Sequence, residues 1–389
     1  MINNFEQNKK FYRKYIISKQ SLFIWTIFLI YLKQKGLSFT EIMLLNSITA
    51  TVTFILEIPS GILADRVSRK KLLFYGEGLK LLSLIIILYT NNYYILIISS
   101  VFSGIGEATV SGSGEALIYD SFVESNKQDS YKKYTSNAQM WALRFSAVST
   151  LISGFLYKIN KDIPMILSIV LQFISILFIL RLNDNLMPIK ITHNIKGEFK
   201  IQLNNIKSLI NNKDIIKLFF IYFVMMIIIS NLNYTSQSYL TYIGIDVKYI
   251  GIIFFLFNII ASFGAKYSAK INLKSKSIIA IFAILLIGLN FSGIYLSLVI
   301  FSISRFINGM IWPILNSDIN KKLQTENRAT MLSYKSLIIQ ISFIIFDPLV
   351  GLSIDLFGLR HTYALMGLTI FIILINILVV KKIVKLKNK

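Results

Sequence analysis

The chain combines 389 residues with a hydrophobic fraction of 54%, a charged fraction of 15% and a mean hydropathy of +0.63, values that a water-soluble domain rarely reaches. Its formal net charge of +22 does not mark a nucleic-acid binder, because the cations recur between apolar runs and do not gather on one soluble segment. The lack of cysteine excludes disulfides and thiolate metal sites, and the two histidines, His193 and His361, form no metal constellation.

Taken in order, residues 1–14 are polar and basic and lack a cleavage site, so no cleaved signal peptide is expected. Apolar runs of about 20 residues are long enough to cross a bilayer core of about 30 Å. Twelve are predicted, at residues 15–32, 40–64, 71–89, 94–120, 135–157, 163–182, 215–243, 249–269, 277–289, 293–319, 330–356 and 363–380. Lys19 and Gln20 interrupt the first, and the ninth is short. Lys and Arg crowd the N-terminal tail, the C-terminal tail and alternate connections, while the other connections carry only Lys33, Lys35, Lys158, Lys161, Lys248 and Arg360. That bias predicts both termini in the cytoplasm.

The connection between the second and third runs is the most informative stretch: Glu57-Ile-Pro-Ser-Gly61-Ile-Leu63-Ala64-Asp65-Arg66-Val-Ser68-Arg69-Lys70-Lys71. So short a join makes a helical hairpin, and its cations place the tip inside. Gly61 is expected to admit a close helix neighbour. Asp65, the one acid among those cations, is placed to pair or to cap a neighbouring helix.

Residues 183–214 form the one long polar break, a linker between halves at 1–182 and 215–389. Within it Ile195, Phe199, Leu203 and Ile206 recur at helical spacing beside Lys196, Lys200 and Lys207, which predicts an amphipathic helix for an anionic leaflet. The halves read as diverged copies, since Gly61 recurs as Gly264 and Gly106 as Gly309.

A charge at mid-membrane costs at least a few kcal/mol, so each one asks for a partner or a task. Glu57, Glu77, Lys80, Glu107, Glu115 and Arg144 fall at overlapping depths and predict a polar cavity in the N-terminal half. Glu107, about 20 Å in at 1.5 Å per residue, lies within Ser103-Gly-Ile-Gly-Glu107-Ala-Thr-Val-Ser-Gly-Ser-Gly-Glu115, where small residues promise tight packing and screening from water. It is read either as a proton-exchanging group, as one half of a fixed pair with Arg144, or as a substrate contact. Glu77 and Lys80, three apart, are placed to neutralise each other, and Glu57 is placed to pair with Lys80. Asn231, Asn233, Tyr234 and Gln237 on the seventh run could bond a substrate or neighbouring helices, and Trp25 offers a stacking surface. No phosphate-binding Gly-x-x-x-x-Gly-Lys-[Ser/Thr] loop and no nucleophile–base motif occurs, so no enzyme is expected.

The hairpin resembles the pattern Gly-x-Leu-Ala-Asp-Arg-x-Gly-Arg-Lys between the second and third helices of the major facilitator superfamily, with Ser68 where that pattern has glycine. Arg328-Ala-Thr-Met-Leu-Ser and Asp347-Pro-Leu-Val-Gly-x-x-x-Asp355 extend the resemblance along nearly the whole chain. It implies an all-α membrane protein with twelve transmembrane helices in two six-helix pseudo-symmetric halves. It further implies that Asp120 pairs with Arg69 and that Asp65 lies against the start of the eleventh helix near Thr330. Gly61, Asp65, Arg66, Arg69 and Asp120 then form a conformational switch. Arg305, with Asn308 and Gly309, is similar to an Arg-x-x-x-Gly element of the family's fourth helix, moved here to the second half. The implied activity is proton-coupled efflux of a small lipophilic or cationic molecule from a monomer in the cytoplasmic membrane, with the proton gradient in place of any cofactor. Uptake or facilitated passage of a metabolite is the alternative, and a non-transporting sensor or enzyme a distant one.

Overall fold

A computed structural model describes residues 2–184, 213–268, 275–322 and 328–387; the predicted amphipathic linker helix lies outside them. Every regular element among them is helical. α1 spans Ile2–Gln20, and after a 3₁₀ turn at Phe23–Thr26 the chain continues as α2, Phe28–Gln34. Then come α3 (Phe39–Arg66), α4 (Arg69–Tyr89), α5 (Tyr93–Val110), α6 (Ser113–Glu124), α7 (Tyr131–Ile159) and α8 (Ile163–Leu180). Beyond the linker are α9 (Lys213–Tyr242), α10 (Val247–Tyr267), α11 (Ser275–Asn290), α12 (Ile294–Lys322) and α13 (Arg328–Lys387). Gly358, at φ 80 and ψ 166, divides α13 into two helices, as the predicted eleventh and twelfth runs require.

Among the described residues seven helices are long and apolar enough to cross a membrane, or eight if the bent α1–α2 pair counts as one. Their outward faces carry Phe173, Leu177, Phe263, Leu296 and Val299, all exposed, which suits lipid contact.

Two expected spans are interrupted. The first is bent by 48° between α1 and α2, and α1 begins far earlier than the apolar run, because its polar N-terminal part packs on α6, α7 and α8. Asn8 fixes it there, donating to Ser121 Oγ at 2.9 Å and to the Asn183 carbonyl at 2.8 Å. The fourth span breaks between α5 and α6, where Gly112 takes φ 73, a left-handed conformation that glycine adopts without Cβ strain.

Local chemistry sets the other ends. Ser38 and Glu41 form a reciprocal capping box that starts α3. Ser68 does the work expected of the missing glycine in another way. With negative φ it caps α4 through the Lys71 N–H (3.2 Å), and its hydroxyl donates to Asp184 at 2.5 Å. In α13, Pro348 has no N–H for the Ile344 carbonyl, and Ser47 of α3 donates to that carbonyl at 3.0 Å. A helix defect in one half is thus repaired by the other.

The closest helix crossings run through glycine. A Cβ on Gly264 would collide with the Phe306 carbonyl, and one on Gly309 with the Ala261 carbonyl, so α10 and α12 meet backbone to backbone. Gly106 and Gly76 do the same for α5 and α4. Gly61, expected to admit a close neighbour, instead has nothing within 4 Å of its Cβ position among the described residues, because the end of the bundle where it sits stands open. Gly309→Val is expected to lower stability by about 1–3 kcal/mol through overpacking, seen as a lower midpoint of thermal unfolding in detergent.

Candidate functional site

Three adjoining cavities run through the bundle. The first, about 870 Å³, is lined by Tyr12, Lys19, Glu57, Lys80, Glu107 and Glu115, among others. The second, about 500 Å³, shares Lys19, Lys80 and Glu107 with it and extends to Trp25, Asn46 and Tyr234. The third, about 400 Å³, shares those last three and reaches Asn233, Gln237 and Asp347. Trp25, Lys19 and Asn46 come from one half of the sequence and Tyr234, Asn233, Gln237 and Asp347 from the other, so the cavities lie between the halves.

The first cavity opens at the end of the bundle that holds the α5–α6 break and the start of α7. The opposite end is shut by two seams. In one, the Asp355 carboxylate of α13 accepts from the Phe39 N–H (3.0 Å), the Thr40 N–H (2.7 Å) and the Thr40 hydroxyl (2.6 Å), capping α3 from another helix. Gly351 lets the two helices touch just below, where a Cβ would meet Met43 and the Phe39 carbonyl. Deeper still, Asn46 donates to Asp347 at 2.5 Å. In the other seam, Gly154 of α7 and Gly251 of α10 abut the opposite backbone, and Lys158 meets Asp246 at 3.4 Å. The Lys248 N–H, then the Lys158 and Lys248 ammonium groups, hold the Asp246 carboxyl below the usual carboxylate range. A depressed acid stabilises its contacts above its ordinary pKa, and that contribution is lost as pH falls through the depressed value. This clasp therefore holds at neutral pH and weakens in acid.

Behind the cavity wall lies an ionic cluster centred on Glu77, which is fully buried in α4. Tyr15 donates to it at 2.7 Å and Gln172 at 2.6 Å, while Lys19 and Lys80 stand 3.3 and 3.6 Å away. Every oxygen of this carboxylate is engaged, as burial demands. Glu77, expected as a cavity group, lines none of the three cavities; it is the counter-charge for two lysines that do.

Glu107, expected to be screened from water by tight packing, is exposed, because the small residues around it pack toward α3 and α4 while its own side chain points into the cavity. Glu115 is likewise exposed there, and Glu57 is half-buried on the same wall as Lys80. The expected partnership of Arg144 with Glu107 does not form. α7 packs chiefly on α10 and α1, and the exposed Arg144 stacks on Trp141 at 5.0 Å, with no carboxylate partner among the described residues.

Of the switch residues, Arg69 and Asp120 form an ion pair between α4 and α6. The side chains of Asp65 and Arg66 and of the residues around Thr330 lie outside the described residues. Of the substrate-contact candidates, Trp25, Asn233, Tyr234 and Gln237 line the third cavity together. Gln237 is also spent on structure, accepting from the Leu29 N–H at 3.2 Å. Asn231 is buried, donates to the Ile227 carbonyl at 3.0 Å and reaches Asp347. Arg305 stacks on Phe254 (5.1 Å) and Phe257 (5.6 Å) and donates to Ser236. Neither it nor the half-buried Asn308 lines these three cavities.

Sequence reasoning missed Tyr15, Lys19, Gln172, Asn46 and Asp347. Two of them carried a signal, since Lys19 and Asp347 are lone charges inside apolar runs.

A sequence profile of the Major Facilitator Superfamily matches residues 17–346. The uncharacterized MFS-type transporter YxaM of Bacillus subtilis (strain 168) is 21% identical over 370 residues, covering 92% of this chain and 91% of that one. Among solved structures, the nucleoside transporter NupG is similar at a TM-score of 0.77 and 13% identity, over 97% of this chain and 98% of its own. A POT family transporter in complex with 5-aminolevulinic acid is similar at 0.66 and 15% identity, over 96% and 95%. At such identities the structures speak for the fold alone, but the profile covers most of the chain and agrees with the apolar helices. The chain thus belongs to the Major Facilitator Superfamily and is a multi-pass membrane transporter for a small molecule.

Proposed function

We propose that the protein is a proton-coupled exporter of a small lipophilic or cationic molecule, working as a monomer by alternating access in the cytoplasmic membrane. The termini lie in the cytoplasm, so the state described here is open inward. Twelve spans form two halves, 1–182 and 215–389, which rock about the cavities between them. The observation that carries this reading is Glu107, an acid in the last turn of α5 and midway along the apolar span Tyr93–Glu124, which faces water in the shared wall of the two larger cavities. The coupled proton is assigned to this carboxylate, which both larger cavities share. Lys19 and Lys80 beside it share one counter-charge, Glu77, and Glu107 and Glu115 on the wall exceed the one positive charge left over.

In the rocking motion the α3–α13 and α7–α10 seams part while the open end closes. Asp355→Ala removes the shared cap of α3 and is expected to shift the balance away from the inward-open state by about 1 kcal/mol. Increased labelling of a cysteine placed at Thr40 would report it. The reading as a whole is tested in inverted membrane vesicles. Acidification of their lumen is expected to drive accumulation of a lipophilic cation such as tetraphenylphosphonium. Accumulation that ignores the gradient, or that needs the opposite gradient, contradicts it.

A further inference from the structure

The third cavity contains a carboxylate, Asp347, that joins the α3–α13 seam only through the amide of Asn46. Asp347 is 3% exposed, on the part of α13 that faces α3. Its visible partners are neutral: Asn46 donates at 2.5 Å, and Asn231 lies within hydrogen-bonding reach. No ammonium or guanidinium among the described residues stands within ion-pair distance. Arg305 is committed to Phe254, Phe257 and Ser236. Among the described residues Asp347 is also the only charged one that lines this cavity of about 400 Å³.

Removing a carboxylate from water costs several kcal/mol, and amide donors offset only part of that cost because they carry no charge. The rest is met by a proton or by another positive charge from outside the chain. What surrounds Asp347 indicates which kind. Trp25, Tyr234, Phe254 and Phe343 line the same cavity, and aromatic faces attract cations while their breadth covers apolar substituents. A hard metal ion would need about six oxygen ligands, and among the described residues no cluster of three His, Cys, Asp or Glu side chains offers a core for them. An organic ammonium needs one anion and an apolar wall.

We propose that Asp347, with Trp25, Tyr234, Phe254 and Phe343, is the binding site for the ammonium head of an organic cation. The proposal rests on reading these cavities as the transport route, and it narrows the substrate class to amines and quaternary ammonium compounds. Asn46 orients the carboxylate from the other half, so the bound head group sits at the inner edge of the α3–α13 seam.

The test is equilibrium binding to the purified full-length protein in detergent, which needs neither a gradient nor a direction of transport. Failure here is therefore distinguishable from failure of the export reading. The probe is benzyltrimethylammonium, which lacks hydrogen-bond donors, and neopentylbenzene is its neutral counterpart of the same shape. Saturable calorimetric binding of the cation is expected, with the neutral compound weaker by about tenfold or more. Asp347→Asn, which preserves shape, is expected to weaken cation binding by about tenfold or more. Trp25→Leu, which leaves the carboxylate, is expected to weaken it by about threefold or more. It carries the test if Asp347→Asn does not remain monodisperse. No binding of the cation, equal binding of the neutral compound, or unchanged affinity in both variants overturns the proposal.

Discussion

Glu107→Gln is expected to uncouple transport from the proton gradient while leaving the folded protein in the membrane. The substitution keeps the size and hydrogen-bonding capacity of the side chain and removes only its ability to change charge. Because Glu107 is exposed in the cavity and lacks a fixed ion pair among the described residues, its loss costs little stability. The cost falls on the driving force. One charge moved through 100 mV is worth about 2.3 kcal/mol, so losing one coupled proton lowers the attainable accumulation ratio by about 50-fold. Steady-state accumulation in inverted vesicles measures this directly. A variant that still follows the gradient would place the coupling elsewhere.

Glu77→Ala is expected to be the most destabilising single change. It would leave Lys19 and Lys80 without a counter-charge and the Tyr15 hydroxyl and Gln172 amide without an acceptor, all in one place. Removing one member of a buried ionic cluster costs about 3–5 kcal/mol, and the two lysines left here reach the cavity water only in part. The unfolding midpoint in detergent should fall sharply. Adding Lys19→Met to Glu77→Ala should recover part of the loss, since one stranded charge is then gone. A double variant no better than the single one would show that the lysines are solvated from the cavity.

How much of this was legible beforehand depended on whether the signal was local. Apolar runs, the cationic hairpin and the glycine pair Gly264 and Gly309 are local patterns, and they led to the fold. Arg69 and Asp120 came together as the resemblance implied. The Glu77 cluster could be read only in its i, i+3 part with Lys80. Its other members, Tyr15, Lys19 and Gln172, come from α1 and α8, and nothing in a single sequence announces which distant polar groups will converge. Lys19 therefore reads as an interruption in the sequence, whereas in the fold it is a half-buried partner of Glu77. Arg144 failed for the converse reason. Matching depth suggested a partner, but depth carries no information about which way a helix face turns. Gly112 was visible as a glycine, yet one among several small residues, and only backbone geometry singles it out as the break between α5 and α6.

The central claim is that the two ends of the cavity open in turn, and paired distances test it most directly. The chain has no cysteine, so label sites can be introduced without first removing native ones. One spin-label pair at Asn160 and Tyr249 spans the closed end, between α7 and α10, and a second at Asp129 and Tyr267 spans the open end; all four positions are exposed. Upon a shift from neutral to acid pH in lipid nanodiscs, the two distance distributions are expected to move in opposite senses, one pair lengthening as the other shortens. Distances that stay fixed at both ends, or that lengthen together, would contradict alternating access in this protein.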